Sequence, residues 1–189
     1  MAKQSLRTGQ ERRVPDRADF PAALVTATEH IAAGRLAKAE PILRKYVSEH
    51  PADVNGIRLL GEVGLSLGAL RDAENLLHRA VELAPDYHAA RYAYANALYK
   101  RHRYQDAIAQ LDLLLEVEPL NPGWLTLKAA NLVEINHHEQ AIPLFEAIIS
   151  HHPSFRQAHL SYGQALRAVG RIDNAIAAYE QATTVGEGA

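Results

Sequence analysis

Four prolines, Pro51, Pro85, Pro119 and Pro153, stand 34 residues apart. Five alanines, Ala39, Ala73, Ala107, Ala141 and Ala175, keep the same step. A spacing held over most of a 189-residue chain means that one small unit is repeated. Each unit of such an array leans only on its neighbours, and the stack is one body. A stack of this kind presents a surface rather than an enclosed pocket, so binding is expected ahead of catalysis.

Units can be started at Phe20, Val54, His88, Pro122 and Arg156. This divides the chain into 20–53, 54–87, 88–121, 122–155 and 156–189, after a polar tail over 1–19. Each unit splits into two helical halves. The first halves carry apolar or small residues three and four apart, as in Ile57, Leu60, Gly61 and Leu65, the spacing of one helix face. A turn follows, with Gly34, Gly68 and Gly170 in it and His102 and Asn136 at the equivalent places. Glycine closes a helix in a left-handed backbone, and Asn does so at modest cost. The His102 turn is therefore expected to be strained.

The second halves pair Ala39 with Leu43, Ala73 with Leu77, Ala107 with Leu111, Ala141 with Phe145 and Ala175 with Tyr179. Residues four apart share a helix face. The alanine sits where two helices cross closely, and overpacking such a place costs ~1–3 kcal/mol. The periodic proline is expected to end the second helix, because the residue before a proline is biased away from helix. Pro41 and Pro143 are expected in the first turn of their helices, where a missing N–H costs little.

This pattern of a small residue, a turn glycine, an alanine and a closing proline resembles the tetratricopeptide repeat. The second unit, with Leu60-Gly61, Gly68, Ala73, Leu77, Ala80 and Pro85, is the nearest to consensus. The resemblance covers residues 20–189. It implies an all-α, right-handed superhelix of five helix-turn-helix repeats, about ten helices. It also implies a concave face built from the first helices that binds a peptide or a partner helix.

By that resemblance the concave face carries Arg58, Glu62, Tyr92, Asn96, Tyr99, Lys100, Thr126, Gln157, Gln164 and Arg167, together with Ala130, Glu134 and Leu160. Each alone reads first as a solvated helix face. The set is more informative: Tyr87, Tyr92, Tyr94, Tyr99 and Tyr104 crowd one stretch, and Tyr92 and Tyr99 lie two turns apart on one face. Tyrosine offers a large apolar area with a hydroxyl handle, which suits peptide binding. Tyr94 reads as core. Chaperone-binding members of the family grip a C-terminal carboxylate with converging Lys, Asn and Arg. The equivalent places here, among them Leu59, Ala93, Gly123 and Leu127, supply no such charges, and a desolvated carboxylate must be paired. Lys128 falls where other units have Leu60, Tyr94 and Tyr162. Its stem is expected to pack while the amine snorkels out, or the amine to pair with a carboxylate such as Glu134 or Glu139.

Nothing else in the chain points to chemistry. Ten histidines include the adjacent pairs His137-His138 and His151-His152, but neighbours on a helix point about 100° apart. No i, i+4 pair of the kind a helical zinc site uses occurs. There is no cysteine and no nucleophilic triad or phosphate loop, so neither cofactor nor metal is expected. Net charge is −2. Residues 1–19 hold five basic against three acidic side chains, a net of +2, which leaves about −4 for the rest. No basic face argues for nucleic acid. No stretch reads as a secretory signal or a membrane span, so a cytoplasmic protein with a protein or peptide partner is expected.

The fifth unit departs from the pattern. Glu187 stands where proline is due, and Ile172, Ile176 and Tyr179 would offer part of the last helix to solvent. Terminal repeats generally need a cap, so a further segment or end-to-end self-association is expected there. A narrower resemblance bears on this. Asn121-Pro122 with Leu127-Lys128-Ala129-Ala130, the run Ser161 to Arg171, and Ala175 to Tyr179 are similar to the N-terminal repeat region of bacterial repeat-containing sulfotransferases. That resemblance implies an accessory, substrate-positioning role ahead of a catalytic domain this sequence lacks. Gln164 departs from the histidine of that pattern.

Overall fold

The computed structural model describes residues 21–186. The polar stretch 1–19, Phe20 and Glu187 lie outside the described residues. Ten helices follow one another among the described residues: α1 Ala22–Ala32, α2 Leu36–Glu49, α3 Val54–Ser66, α4 Leu70–Leu83, α5 His88–Lys100, α6 Tyr104–Leu115, α7 Pro122–Glu134, α8 His138–His151, α9 Arg156–Ala168 and α10 Ile172–Gly186. Each packs on the helices before and after it, which makes five hairpins stacked in sequence order. Helix α3 also touches α5, and α5 touches α7, whereas no comparable contact joins α4 to α6 or α6 to α8. The odd-numbered helices therefore form the inner row of a curved, all-α superhelix.

The turns explain the sharp reversals inside each hairpin. Gly34, Gly68 and Gly170 have φ of 69°, 84° and 80°, and His102 and Asn136 both sit at 59°. At every one of these turns two backbone bonds close the preceding helix. In the third hairpin the His102 N–H donates to the Tyr99 carbonyl at 2.9 Å and the Arg103 N–H to the Leu98 carbonyl at 2.9 Å. These bonds satisfy carbonyls that the helix end would otherwise strand. His102 thus occupies a left-handed backbone that costs a residue with a Cβ roughly 1–2 kcal/mol.

The core repeats with the sequence. Ala39, Ala73, Ala107, Ala141 and Ala175 are all at most 2 % exposed. Opposite the even helices stand small residues of the odd ones. A Cβ added to Gly61 would lie 2.6 Å from the Leu77 side chain, and one added to Gly163 would lie 2.6 Å from the Tyr179 ring. Tyr94 is buried, as its place in the pattern implies. Two capping carboxamide and carboxylate groups start inner helices. Asp53 accepts from the Asn55 and Gly56 N–H groups, and Asn121 accepts from the Trp124 N–H, each satisfying orphan donors of the first turn.

Three expectations need correction. Pro41 and Pro143 are the sixth residues of α2 and α8, inside the second turn rather than the first. Both helices survive because Ala39 and Leu43, and Ala141 and Phe145, are buried on either side of the proline, so packing outweighs the lost bond. Pro119 does not end α6. That helix stops at Leu115, and the chain tightens so that the Val117 N–H bonds the Leu114 carbonyl, leaving Val117 and Leu120 exposed. Lys128 pairs with a carboxylate as expected, but with neither Glu134 nor Glu139. Its ammonium meets Asp112 of α6 at 2.6 Å, because its stem lies along the α6–α7 joint and Asp112 is the carboxylate at that joint.

Candidate functional site

Among the described residues, three hollows lie along the inner row. The first, about 330 Å3, is lined by Leu24, Val25, Thr28, Asn55, Arg58 and Tyr87 among others, from α1, α3 and the residue before α5. The second, about 380 Å3, is formed by Tyr92 of α5, Pro122, Gly123, Thr126, Leu127 and Ala130 of α7, and Phe155 before α9. The third, about 310 Å3, includes Tyr99, Thr126, Ala130, Glu134, Gln157 and Gln164. Thr126 and Ala130 line both the second and the third, so these two adjoin. Larger hollows of about 520 and 590 Å3 lie between α2, α3 and α4 and at the α4–α5 connection. They share no wall with the inner pair, and the contiguous inner hollows are the better fit to an extended ligand.

Of the residues expected on the concave face, Arg58, Tyr92, Tyr99, Thr126, Gln157 and Gln164 line these hollows. Ala130 and Glu134 do so as well. Glu62 lies beside the first hollow and accepts from Arg58 at 2.7 Å. Asn96 is half-buried on α5, Lys100 is exposed at the end of α5, and Arg167 is exposed on α9; none of the three lines a described hollow. Leu160 is half-buried on α9. Residues that repeat position alone does not select are Phe155, Tyr87 and Phe145. Phe155 and Tyr87 stand just before an inner helix and Phe145 belongs to an outer one. The aromatic excess around residue 87 was the one signal pointing to Tyr87.

The first hollow is held by a polar cluster. Arg58 donates to the Tyr87 hydroxyl at 3.0 Å and lies over its ring at 5.8 Å. The Tyr87 hydroxyl donates in turn to Asn55 at 2.8 Å. Burial works against the Arg58 charge, but Glu62 and Tyr87 outweigh it and raise its pKa above the usual guanidinium value. Arg58 is thus committed to its neighbours. In the second hollow, burial pushes the Tyr92 hydroxyl above the usual tyrosine pKa, so it is a neutral donor there. The second hollow is otherwise apolar, with Phe155 39 % exposed at its mouth. The third is mixed: Glu134, Gln157, Ser161 and Gln164 face Val133, Ala130 and Phe145. Glu134 accepts from the Tyr104 hydroxyl at 3.2 Å.

Among the described residues no three His, Asp or Glu side chains come together as a metal ion would require. No described helix is long and apolar enough to cross a membrane. The geometry offers shape, aromatic area and the Glu134 carboxylate, which is equipment for recognition.

Comparison with solved structures places the same architecture in several MamA proteins. MamA of AMB-1 superposes with a TM-score of 0.81 at 22 % identity, covering 89 % of this chain and 100 % of that one. A second MamA structure gives 0.77 at 23 % identity, with 85 % and 94 % covered. MamA of Desulfovibrio magneticus RS-1, from residue 41 onward, gives 0.75 at 19 % identity, with 87 % and 92 % covered. At these identities the likeness is one of fold. No curated protein matches the chain. A tetratricopeptide-repeat family model matches residues 126–188. The model described as the cytochrome c-type biogenesis protein H TPR domain matches residues 29–154, two thirds of the chain. The chain therefore belongs to this family of tetratricopeptide-repeat domains.

Proposed function

We propose that the chain is a non-catalytic scaffold that holds an extended segment of a partner protein along its inner row of helices. The observation that carries this reading is the pair of adjoining hollows on α5, α7 and α9, one apolar and one mixed, with Tyr92 and Tyr99 on their walls. Aromatic side chains in desolvated hollows dominate the energetics of such contacts. The description of the matched family as a biogenesis domain supports a role in assembly rather than in turnover. The test is a pull-down with Tyr92→Ala and Tyr99→Ala. Partners captured by the unaltered chain are expected to be lost while the thermal melt is retained. Variants that keep every partner would remove the groove from consideration.

A second reading, an accessory region ahead of a sulfotransferase catalytic domain, draws on the runs at 161–171 and 175–179. Ile172 and Ile176, 52 % and 51 % exposed on α10, give a further segment somewhere to pack. Sequencing the reading frame past Ala189 decides it, and a stop codon there sinks it. Self-association through the same face is checked by sedimentation at several concentrations, where a monomer throughout excludes it.

A further inference from the structure

Glu134 is placed against its own helix. It is the last residue of α7, where the helix dipole is negative and a carboxylate is disfavoured. The residues at this place in the other inner helices are Ala32, Ser66, Lys100 and Ala168; none is acidic. Nor does a cation among the described residues offset the cost. Lys128 is taken by Asp112 at 2.6 Å and Arg171 by Glu139 at 2.9 Å, and Glu134 forms no ion pair among the described residues. Its described partner is the Tyr104 hydroxyl, a neutral donor. Yet this carboxylate lines the third hollow, where the other polar groups are a tyrosine, a threonine, a serine and two glutamines, all uncharged. One wall away, across Thr126 and Ala130, is the apolar second hollow.

From this juxtaposition we infer that the segment held here carries a basic side chain close in sequence to a bulky apolar one. The lysine or arginine enters the third hollow toward Glu134, and the apolar side chain enters the second between Tyr92, Leu127 and Phe155. Side chains of an extended peptide project from a backbone that advances ~3.3 Å per residue, so adjoining hollows are filled by residues a few positions apart. The charge complement is a cation, because Glu134 is an exposed carboxylate whose described partner is a neutral hydroxyl, and an incoming Lys or Arg adds a charge-assisted hydrogen bond to it. The inference rests on the groove reading above and specifies what the groove selects.

Two substitutions isolate the two halves. Glu134→Gln keeps an acceptor for the Tyr104 hydroxyl and removes only the charge. Gly123→Leu fills the apolar hollow from the first turn of α7. A Cβ at Gly123 meets its nearest neighbours at 3.5 Å and 3.7 Å, ordinary contact distances at the Asn121 side chain and the Tyr92 hydroxyl, so the helix accepts a side chain there. The experiment is selection of a randomised seven-residue peptide library on the full chain, followed by anisotropy titration of the enriched peptides.

Enriched peptides are expected to combine Lys or Arg with Leu, Phe or Trp within about three positions. Glu134→Gln is expected to weaken them by about two- to fivefold, the range of an exposed ion pair, while leaving a lysine-to-glutamine version of each peptide unchanged. Gly123→Leu is expected to weaken both versions. Enrichment of peptides without a basic residue, or affinity indifferent to Glu134→Gln, overturns the inference. If those peptides are still lost on Tyr92→Ala and Tyr99→Ala, the groove reading stands. A library that yields no binder, or binders indifferent to all four substitutions, overturns both.

Discussion

At the scale of single residues, the decisive choices are where side chains are left out. Gly163 faces the Tyr179 ring, and a Cβ there would lie 2.6 Å from it. Gly163→Ala is expected to cost ~1–3 kcal/mol by overpacking, read as a drop in urea midpoint. Adding Tyr179→Leu should recover much of that loss, because an alanine facing a leucine is the native arrangement at Ala27 with Leu43 and Ala95 with Leu111, all fully buried. Additive losses in that double-mutant cycle would show that the clash is not between these two side chains. A second residue-scale effect concerns Tyr46. Its hydroxyl donates to Asp53 at 2.5 Å. Removal from water and the Asp53 carboxylate push its pKa from 10.0 up to about 12. A phenol with a raised folded pKa stabilises the fold fully below pH 10 and loses that contribution as pH rises from 10 toward about 12. Other tyrosines share the alkaline range, so the comparison is with Tyr46→Phe. That variant is expected to be less stable at neutral pH and to lose less stability than the unaltered chain between pH 10 and 12. Parallel curves across that range would assign the alkaline loss elsewhere.

At the scale of elements, the turns and caps set the geometry of the hairpins, and here the sequence was informative to different degrees. The left-handed turn residues, the alanine crossings and the burial of Tyr94 follow from the 34-residue register, because each is dictated by contacts inside one repeat. The hollows do not, since register leaves the inner face unconstrained. Phe155 and Tyr87 enter it from the segments just before inner helices, and Phe145 reaches it from an outer helix, places where no within-unit rule points. The end of α6 at Leu115 was equally hidden. A proline limits how far a helix can run but not how early it stops. The His102 turn gives the element-scale prediction. His102 holds φ of 59° where three other turns have glycine, and its ring nitrogen meets the Tyr104 hydroxyl at 2.6 Å. Relief of the left-handed strain, ~1–2 kcal/mol, is offset by the larger unfolded-state entropy of glycine, ~0.4–1 kcal/mol, and by loss of an exposed hydrogen bond. His102→Gly is therefore expected to stabilise by no more than about 1 kcal/mol, and the same change at Asn136, a residue that tolerates this backbone better, by less. A fall in melting temperature on His102→Gly would mean that the bond to Tyr104 outweighs the strain.

At the scale of the whole molecule, stability passes from hairpin to hairpin, and the joints are unequal. The second and third hairpins are tied by Glu74, only 6 % exposed, which receives Arg101 and Arg103 from the turn after α5. A buried carboxylate with two guanidinium partners is costly to break, because removing either side strands a charge. The third and fourth hairpins have a thinner link. Its fully buried apolar cluster, Ala95, Leu111, Leu114 and Trp124, is the smallest among the described residues, with Ile108 and Leu115 of α6 only partly buried against the next cluster, and the accompanying Lys128–Asp112 pair is partly exposed, of a kind that contributes little. Trp124 is the only tryptophan, and its indole packs edge-on to His88 at 6.0 Å. In a linear array, cooperativity is limited by the weakest interface. Trp124→Ala is expected to cost ~3–5 kcal/mol and to split a single urea transition, followed by circular dichroism, into two with smaller slopes. The inner hollows straddle this same joint, since their walls come from α5, α7 and α9. A peptide bound across them adds free energy that exists only while the joint is closed, ~2.7 kcal/mol at a hundred times its dissociation constant. Saturating peptide should therefore draw the two transitions of Trp124→Ala back together. A single sharp transition without peptide would show that the α6–α7 joint is not the weak point, and two transitions indifferent to peptide would place the ligand on one side of it.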